Sequence, residues 1–201
     1  MSLRDRKRAR TRQALIDAAT ELFARKGYDE TTIADIAAAA EIGARTFFSY
    51  FASKEELLFP EYDVRVRTAV DAIATRGPDE RPVDVLLRAL GDVHRTSEEM
   101  VSPLAELRMR MIQTVPAVRG RALQVQLDAQ REIARHLAEA FPEQLDLVHA
   151  SALTGAFVGA VAGALQGLMD SAGGIDRTDP AALQAAMRTA TEVALSPWRQ
   201  R

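Results

Sequence analysis

Cysteine is absent from the 201 residues of this chain, which excludes disulfide bridges, thiolate metal sites and cysteine nucleophiles. Aromatic residues are scarce at 5%, and no segment alternates apolar and polar residues as a half-buried β-strand does. A global excess of one charge is also lacking, since the formal net charge is -2. The chain is therefore not basic over its whole surface, which still leaves room for a local basic segment.

Signals for a membrane or for export are weak. The first residues hold no apolar core of the kind that a secretory signal needs, so we expect a cytoplasmic protein. Residues 150–169 carry no formal charge and are long enough to span a bilayer. Alanine and glycine dominate this stretch, however, and few of its side chains would gain much from lipid. The sequence favours a buried helix of a soluble protein with no membrane partner.

Helical periodicity runs through almost the whole chain and predicts an all-α fold with nine helices. Thr32 with Asp35, and Ser53 with Glu56, have the spacing of capping boxes and are expected to begin the second and fourth helices. Pro60 lies early in the fourth helix, where it predicts a kink or a break. Later helices are expected at 83–99, 103–114, 117–141, 144–172 and 180–195.

The start of the chain combines a basic segment with a run of predicted helices. A basic segment comes first, and we favour contact with phosphates or the minor groove over a merely solvated terminus; its cations are Arg4, Arg6, Lys7, Arg8, Arg10 and Arg12. A small helix, the tight turn Glu41-Ile42-Gly43 and a short third helix follow, which is the order of a helix-turn-helix motif. Arg45 and Thr46 begin the third helix, at the end that reaches base edges, where an arginine can pair with guanine. Thr31, Thr32 and Lys54 are expected to hold backbone phosphates.

Residues 13–58 resemble the DNA-binding domain of the TetR (tetracycline repressor) family, above all through TTIADIA at 31–37, TFFSYF at 46–51 and SKEELL at 53–58. The resemblance implies a helix-turn-helix head at 1–52 and a helical ligand-binding and dimerisation domain at 53–201. It also implies a homodimeric transcription factor, usually a repressor, in which helices 4–7 enclose a small-molecule pocket and helices 8 and 9 form the dimer. Ligand binding would then spread the two DNA-reading heads.

Three positions depart from the family's pattern. Glu41 replaces the glycine of the turn, so a positive φ there would strain the backbone by about 1 kcal/mol. Gly43 replaces a polar helix cap. Phe48 replaces a tyrosine that often contacts phosphate, and that contact either passes to Tyr50 or Ser49 or does not form. The residues expected to contact DNA are Arg12, Thr31, Thr32, Ala44, Arg45, Thr46, Phe48, Ser49, Tyr50 and Lys54.

Methionine and leucine at helical spacing mark a candidate ligand pocket, with ordinary core packing as the alternative. Phe157 is expected to face in from the eighth helix. The ligand we expect is elongated and mainly apolar, and Arg108, Arg110 and Arg131 either hold an acidic head group, such as that of an acyl thioester, or are solvated. The predicted pocket residues are Tyr62, Val66, Met100, Leu104, Leu107, Arg108, Met111, Arg131 and Phe157.

Four glycines recur at every fourth position of the eighth helix, from 155 to 167. Each costs a helix up to about 1 kcal/mol relative to alanine, so the close approach of another helix is expected to compensate. That helix belongs either to a second subunit or to the same chain, and the alanine-rich ninth helix favours a subunit interface. The predicted interface residues are Gly155, Gly159, Gly163, Gly167, Ala186 and Ala190.

These features together predict a ligand-responsive, homodimeric DNA-binding regulator, with a repressor released from a palindromic operator as the first hypothesis. The alternative is an α-helical small-molecule carrier or enzyme that starts with an incidental helix-turn-helix. The histidines, His94, His136 and His149, lack metal-ligand spacing, and no acid–base or nucleophile motif stands out. We therefore expect no metal, no cofactor and no catalytic residue. The expected partners are a double-stranded DNA operator and a small-molecule effector.

Overall fold

The computed structural model describes residues 2–60, 62–96, 102–170 and 180–199. Within these ranges the backbone forms nine α-helices and no strand, as the periodicity predicts. They are α1 (Leu3–Lys26), α2 (Ile33–Ala39), α3 (Ala44–Phe47), α4 (Tyr62–Ala74), α5 (Pro82–Thr96), α6 (Pro103–Thr114), α7 (Pro116–Ala140), α8 (Leu147–Asp170) and α9 (Pro180–Leu195). Short 3₁₀ helices occupy Glu55–Leu58 and Ser196–Arg199.

The chain divides into two compact units. Among the described residues, the first unit contains 2–60 and 102–123, and the second contains 62–96, 124–170 and 180–199. This division differs from the predicted boundary between residues 52 and 53. The reason is packing: Leu57 and Leu58, together with Leu107 of α6, belong to the same hydrophobic core as α1 and α3.

The core of the first unit is built on one face of α1. Leu15, Ile16, Ala19, Leu22 and Phe23 are all buried on one face of this helix, as predicted. They pack with α2 and α3 through Ile36 and Phe47. α1 ends at Gly27, whose φ of 84° is in the left-handed region and whose N–H donates to the Phe23 carbonyl.

The predicted fourth helix is broken into two pieces. The capping box expected at Ser53 does not form, because the 3₁₀ helix 55–58 has no side-chain cap and the Glu56 carboxylate instead accepts the Ala52 N–H at 2.8 Å. Pro60 follows this piece, and α4 begins only at Tyr62. A proline has no N–H to donate and its ring crowds the preceding turn, so the break falls where the helical hydrogen bonds are weakest.

The second unit is built around α5. This helix packs against α4 and α9, and α8 packs against α9. Arg88 of α5 ties the preceding loop to the core, since its guanidinium donates to both Glu80 carboxylate oxygens at 2.7 and 2.9 Å and to the Ala72 carbonyl at 2.8 Å. The hydrogen bond from Arg88 lowers the pKa of Glu80 below its ordinary value. A bidentate pair of this kind holds its loop in one geometry.

α8 carries an apolar face that the rest of the described chain leaves uncovered. The stretch Leu147–Leu168 is long and apolar enough to cross a bilayer by length and composition, and 22% of its most apolar part is buried. The prediction that this helix is buried is therefore wrong for one of its two faces. Leu153 and Phe157 pack into the core on the first face, whereas Val148, Gly159 and Gly163 are exposed on the other.

The turn between α2 and α3 is held by backbone hydrogen bonds at the end of α2. The N–H of Ile42 donates to the Ala37 carbonyl at 2.9 Å and that of Glu41 to the Ala38 carbonyl at 3.1 Å, which is a Schellman motif. Glu41 has a φ of 56°, so the condition under which strain is expected at this turn is met. A residue with a side chain is strained in this left-handed conformation, which glycine adopts freely.

We expect Glu41→Gly to stabilise the protein. The substitution removes the left-handed strain, and this gain should exceed the loss that comes from the greater freedom of glycine in the unfolded chain. The free energy of unfolding should therefore rise by about 0.5–1 kcal/mol. Urea denaturation measures this change. Glu41→Ala is the control, because it removes the same charge and keeps the strain. If Glu41→Ala raised the free energy of unfolding as much as Glu41→Gly, the cause would be the removed charge and not the relieved strain.

Candidate nucleic-acid interface

α3 has one buried ring, and the side chains around it are exposed. Phe47 is fully buried, and its ring packs against those of Phe48 and Phe51 at centroid distances of 5.4 and 5.9 Å. Phe48 nevertheless keeps 58% of its surface exposed. The exposed residues, which we name the recognition surface, are Ala44, Arg45, Thr46, Phe48 and Ser49. This surface presents one cation, two hydroxyl groups and one ring to the solvent.

The start of α2 confirms its predicted cap and corrects one predicted DNA contact. The Thr32 hydroxyl accepts the Asp35 N–H at 3.1 Å, and the Asp35 carboxylate accepts the Thr32 N–H at 3.1 Å. The hydrogen bonds that the Thr32 N–H and hydroxyl donate to the Asp35 carboxylate lower the pKa of Asp35. The sequence predicts that Thr31 offers its hydroxyl to a phosphate, but Thr31 is fully buried and donates to the Gly27 carbonyl at 2.7 Å. Its role is therefore structural, while Thr32 remains exposed.

Two arginines of α1 hold the segment that follows α3. The Arg8 guanidinium donates to the Ser49 carbonyl at 3.0 Å and lies 5.1 Å from the centroid of the Tyr50 ring. One turn further on, Arg12 donates to the Pro60 carbonyl at 3.1 Å and lies 5.0 Å from the Phe51 ring. Cation–π contacts of this kind are worth about 0.5–1 kcal/mol at exposed sites. Arg12 and the Tyr50 ring, both predicted to contact DNA, thus have partners inside the first unit.

Lys54 also has partners inside the first unit. Its ammonium group donates to the Tyr28 carbonyl at 2.9 Å and to the Thr31 carbonyl at 3.0 Å, and it lies 4.0 Å from the centroid of the Tyr28 ring. A lysine has three N–H donors, so at most one is left for a phosphate. The structure therefore gives Lys54 a structural role, in which it holds the α1–α2 loop.

The α1–α2 loop also makes a hydrogen bond that the helical periodicity of the sequence does not predict. The Tyr28 hydroxyl donates to the Glu55 carboxylate. Burial, followed by this hydrogen bond, raises the pKa of Tyr28. Burial raises the pKa of Glu55 as well, but hydrogen bonds from Ser53 and Tyr28 outweigh it and the net shift is downward. The only sequence signal for this contact is an aromatic residue directly after the helix-ending Gly27.

The predicted pocket residues are divided between the two units. Leu107, Arg108 and Met111 are buried in the first unit, where Leu107 and Met111 join the core with half-buried Leu104. Arg108 donates to the Leu58 carbonyl at 3.2 Å, which gives it a partner within the protein. In the second unit Val66 and Phe157 are buried, Tyr62 is half-buried and Arg131 is exposed. Met100 lies outside the described residues.

The glycine row of α8 is open. A Cβ atom built at any of the four glycines meets nothing within 4 Å among the described residues. The alternative in which the row packs tightly against another helix of the same chain is therefore wrong for the described helices. On α9, Ala186 is half-buried and Ala190 is exposed.

Comparison with known protein families gives two matches along the chain. The model for bacterial regulatory proteins of the tetR family matches residues 15–59, and the model for the MftR C-terminal domain matches residues 80–193. The second match alone covers more than half of the chain. The chain belongs to the TetR family. The resemblance inferred from residues 13–58 is thereby confirmed, and this family consists of bacterial transcriptional regulators rather than enzymes.

TcmR of Streptomyces glaucescens, an HTH-type transcriptional regulator, is similar to this TetR-family chain. The two are 34% identical over 141 residues, which is 68% of this chain and 62% of TcmR. The aligned region thus spans less than two thirds of that relative's length.

Solved structures share the fold at low sequence identity. The TetR-family repressor FadR of Thermus thermophilus, in complex with lauroyl-CoA, has a TM-score of 0.59 at 19% identity over 92% of this chain and 93% of FadR. AlkX of Dietzia sp., a TetR-family repressor implicated in biodegradation of n-alkanes, has a TM-score of 0.57 at 18% identity over 94% of this chain and 95% of AlkX. These likenesses establish the fold alone.

The hydrogen bonds of Lys54 predict what its replacement does to the protein. Lys54→Met keeps the length of the side chain but removes two hydrogen bonds to carbonyls. The free energy of unfolding should therefore fall by about 1–2 kcal/mol. The slope of log Kd for duplex DNA against log salt concentration should stay unchanged.

Urea denaturation and fluorescence anisotropy at several salt concentrations measure these two quantities. Lys26→Met, at an exposed lysine in the last turn of α1, is the control for removal of a positive charge. If Lys54 instead holds a phosphate, stability stays the same and the slope shrinks by about 0.9 for each phosphate that the variant no longer neutralises.

Proposed function

We propose that this protein is a homodimeric repressor that binds a palindromic operator and is released by a small, mainly apolar molecule. The observation that carries the proposal is the recognition surface, where Arg45 and Thr46 are exposed beside the fully buried Phe47. An arginine on the first turn of a recognition helix can pair with a guanine in the major groove. Such a regulator works in the cytoplasm, on the cell's own DNA.

The open face of α8 supports a symmetric dimer. Its exposed residues include Val148, at 76% exposure, and Gly159, Gly163 and Gly167. A helix with several interior glycines forgoes about 1 kcal/mol for each of them, and close packing against a second copy can offset that deficit. Two copies related by a two-fold axis can present their recognition surfaces about 34 Å apart, one turn of duplex DNA.

The proposed effector is a molecule with a long apolar chain. The second unit supplies candidate walls in Val66 and Phe157, which are buried there, and in half-buried Tyr62. The lauroyl-CoA bound to FadR, which shares the fold, supports an acyl chain as the ligand class. To release DNA, the effector must bind the DNA-free arrangement of the dimer more tightly than the DNA-bound one.

Arg45→Ala should relax the choice of bases. We expect the preference of the protein for its selected operator over the same duplex with one guanine changed to fall by about 1–3 kcal/mol. Fluorescence anisotropy with both duplexes measures this preference. Arg110→Ala is the matched control, because Arg110 is an exposed arginine of α6. Equal preferences in Arg45→Ala and the unchanged protein would contradict the assignment of Arg45.

The same assay tests the effector. Lauroyl-CoA is added to the protein–operator complex, and free coenzyme A is the control for its polar part. The proposal expects release by lauroyl-CoA alone. Release by coenzyme A alone, or only by cationic compounds, would contradict an apolar effector.

Gly159→Leu should weaken the dimer without unfolding the protein. A side chain at this position has open space in the single chain, and leucine favours helix more than glycine does. In a dimer packed through α8, however, the same side chain would separate the two helices. Sedimentation velocity should then show a lower dimer fraction at equal protein concentration.

Gly120→Leu is the matched control, since Gly120 lies in α7 and is also exposed with open space around it. A dimer fraction that stays constant in Gly159→Leu would contradict the proposed interface.

A further inference from the structure

The first turns of α1 form a basic helix that the recognition surface does not include. In residues 3–10, which we name the basic extension, every side chain is exposed. Its cations are Arg4, Arg6, Lys7, Arg8 and Arg10. The single acid, Asp5, is engaged in a capping box, in which its carboxylate accepts the Ser2 N–H at 2.9 Å and its N–H donates to the Ser2 hydroxyl at 3.1 Å. Hydrogen bonds from Ser2 lower the pKa of Asp5, so this carboxylate stays ionised as the cap.

Because the basic extension is helical, its width limits which part of duplex DNA it can contact. An α-helix with its side chains is about 10–12 Å wide. The minor groove of duplex DNA is only about 6 Å wide and admits an extended arm rather than a helix. Of the two contacts expected from the sequence, phosphate and minor groove, the structure therefore favours phosphate.

The basic extension is also oriented with respect to the recognition surface. Arg8 donates to the Ser49 carbonyl and lies over the Tyr50 ring, so the Arg8 side of the helix faces the segment that follows α3. Arg4 lies one helical turn before Arg8 on the same side of α1. Lys7, three residues after Arg4, lies next to Arg4 on the helix surface. Arg6 and Arg10, four residues apart, lie on the side turned away from Arg8. The extension therefore has a near pair and a far pair of cations.

We propose that the near pair, Arg4 and Lys7, binds DNA phosphates beside the half-site read by α3. This inference rests on the proposed function, since it assumes that the recognition surface lies on duplex DNA. Arg8 keeps its contacts to Ser49 and Tyr50 and positions the near pair. Phosphate contacts of this kind add affinity and fix the orientation of the protein, but they carry no base preference of their own.

Matched double variants test the proposal. Arg4→Gln/Lys7→Gln and Arg6→Gln/Arg10→Gln each remove two exposed cations from the same two turns. The probe is a duplex operator selected from a random library by the unchanged full-length protein. Affinity is measured by fluorescence anisotropy at several salt concentrations, and thermal melting checks that both variants are folded.

We expect the near-pair variant to reduce the slope of log Kd against log salt by about 0.9 for each phosphate that it no longer neutralises, or about 3.6 for the four phosphates bound by a dimer. The far-pair variant should change the slope by less than a third of that amount. The order of preference among operator sequences should stay the same in both variants. Ethylation of phosphates beside each half-site should weaken the unchanged protein but not the near-pair variant.

Equal slopes in the two variants would overturn the proposal, because the cations would then attract DNA through their overall positive charge and not through specific phosphate contacts. A dependence of the near-pair effect on A·T or G·C content beside the half-site would also overturn it, in favour of a minor-groove contact. Neither result affects the proposed function. That function fails separately, if the unchanged protein selects no duplex.

Discussion

The burial of Phe47 is the constraint on which the recognition surface depends. Its ring has no exposed surface and lies in the core with Leu15 of α1 and Ile36 of α2. Because α3 has a single short turn of helix, anchoring one side chain inward determines which neighbours point outward. Arg45, Thr46 and Phe48 are exposed for this reason. A change at Phe47 would therefore alter both the stability of the first unit and the direction of the side chains on the recognition surface.

The cations of the first unit divide into two groups with different roles. Arg8, Arg12 and Lys54 donate to backbone carbonyls and lie over aromatic rings, so they hold the segments around α3 in place. Arg45, Arg4 and Lys7 are exposed, and we propose that these three contact DNA. A net charge of -2 for the whole chain is compatible with this arrangement, because the local distribution of charge determines where an anionic partner binds.

Local chemistry in the sequence predicted the nine helices of the described residues and several of their ends, but the cap expected at Ser53 does not form. The Thr32–Asp35 cap depends on residues close in sequence and is confirmed. The turn at Glu41 has the positive φ at which strain is expected. Tertiary packing could not be predicted in the same way. Helical spacing places Leu107 and Met111 on one face of α6, but it does not say that this face joins the core of the first unit. The burial of Thr31 and the carbonyl partners of Lys54 likewise come from segments more than 20 residues apart or from the fold around them.

The central claim is that the recognition surface reads duplex DNA as half of a symmetric pair. Selection of binding sites from a random duplex library by the full-length protein, with the mass of the resulting complex determined by sedimentation, tests it most directly. The account predicts a palindromic sequence whose half-site centres lie about 10–10.5 base pairs apart, or a multiple of that, bound by two protomers. A library that shows no enrichment, or an enriched single half-site bound by one protomer, would contradict it.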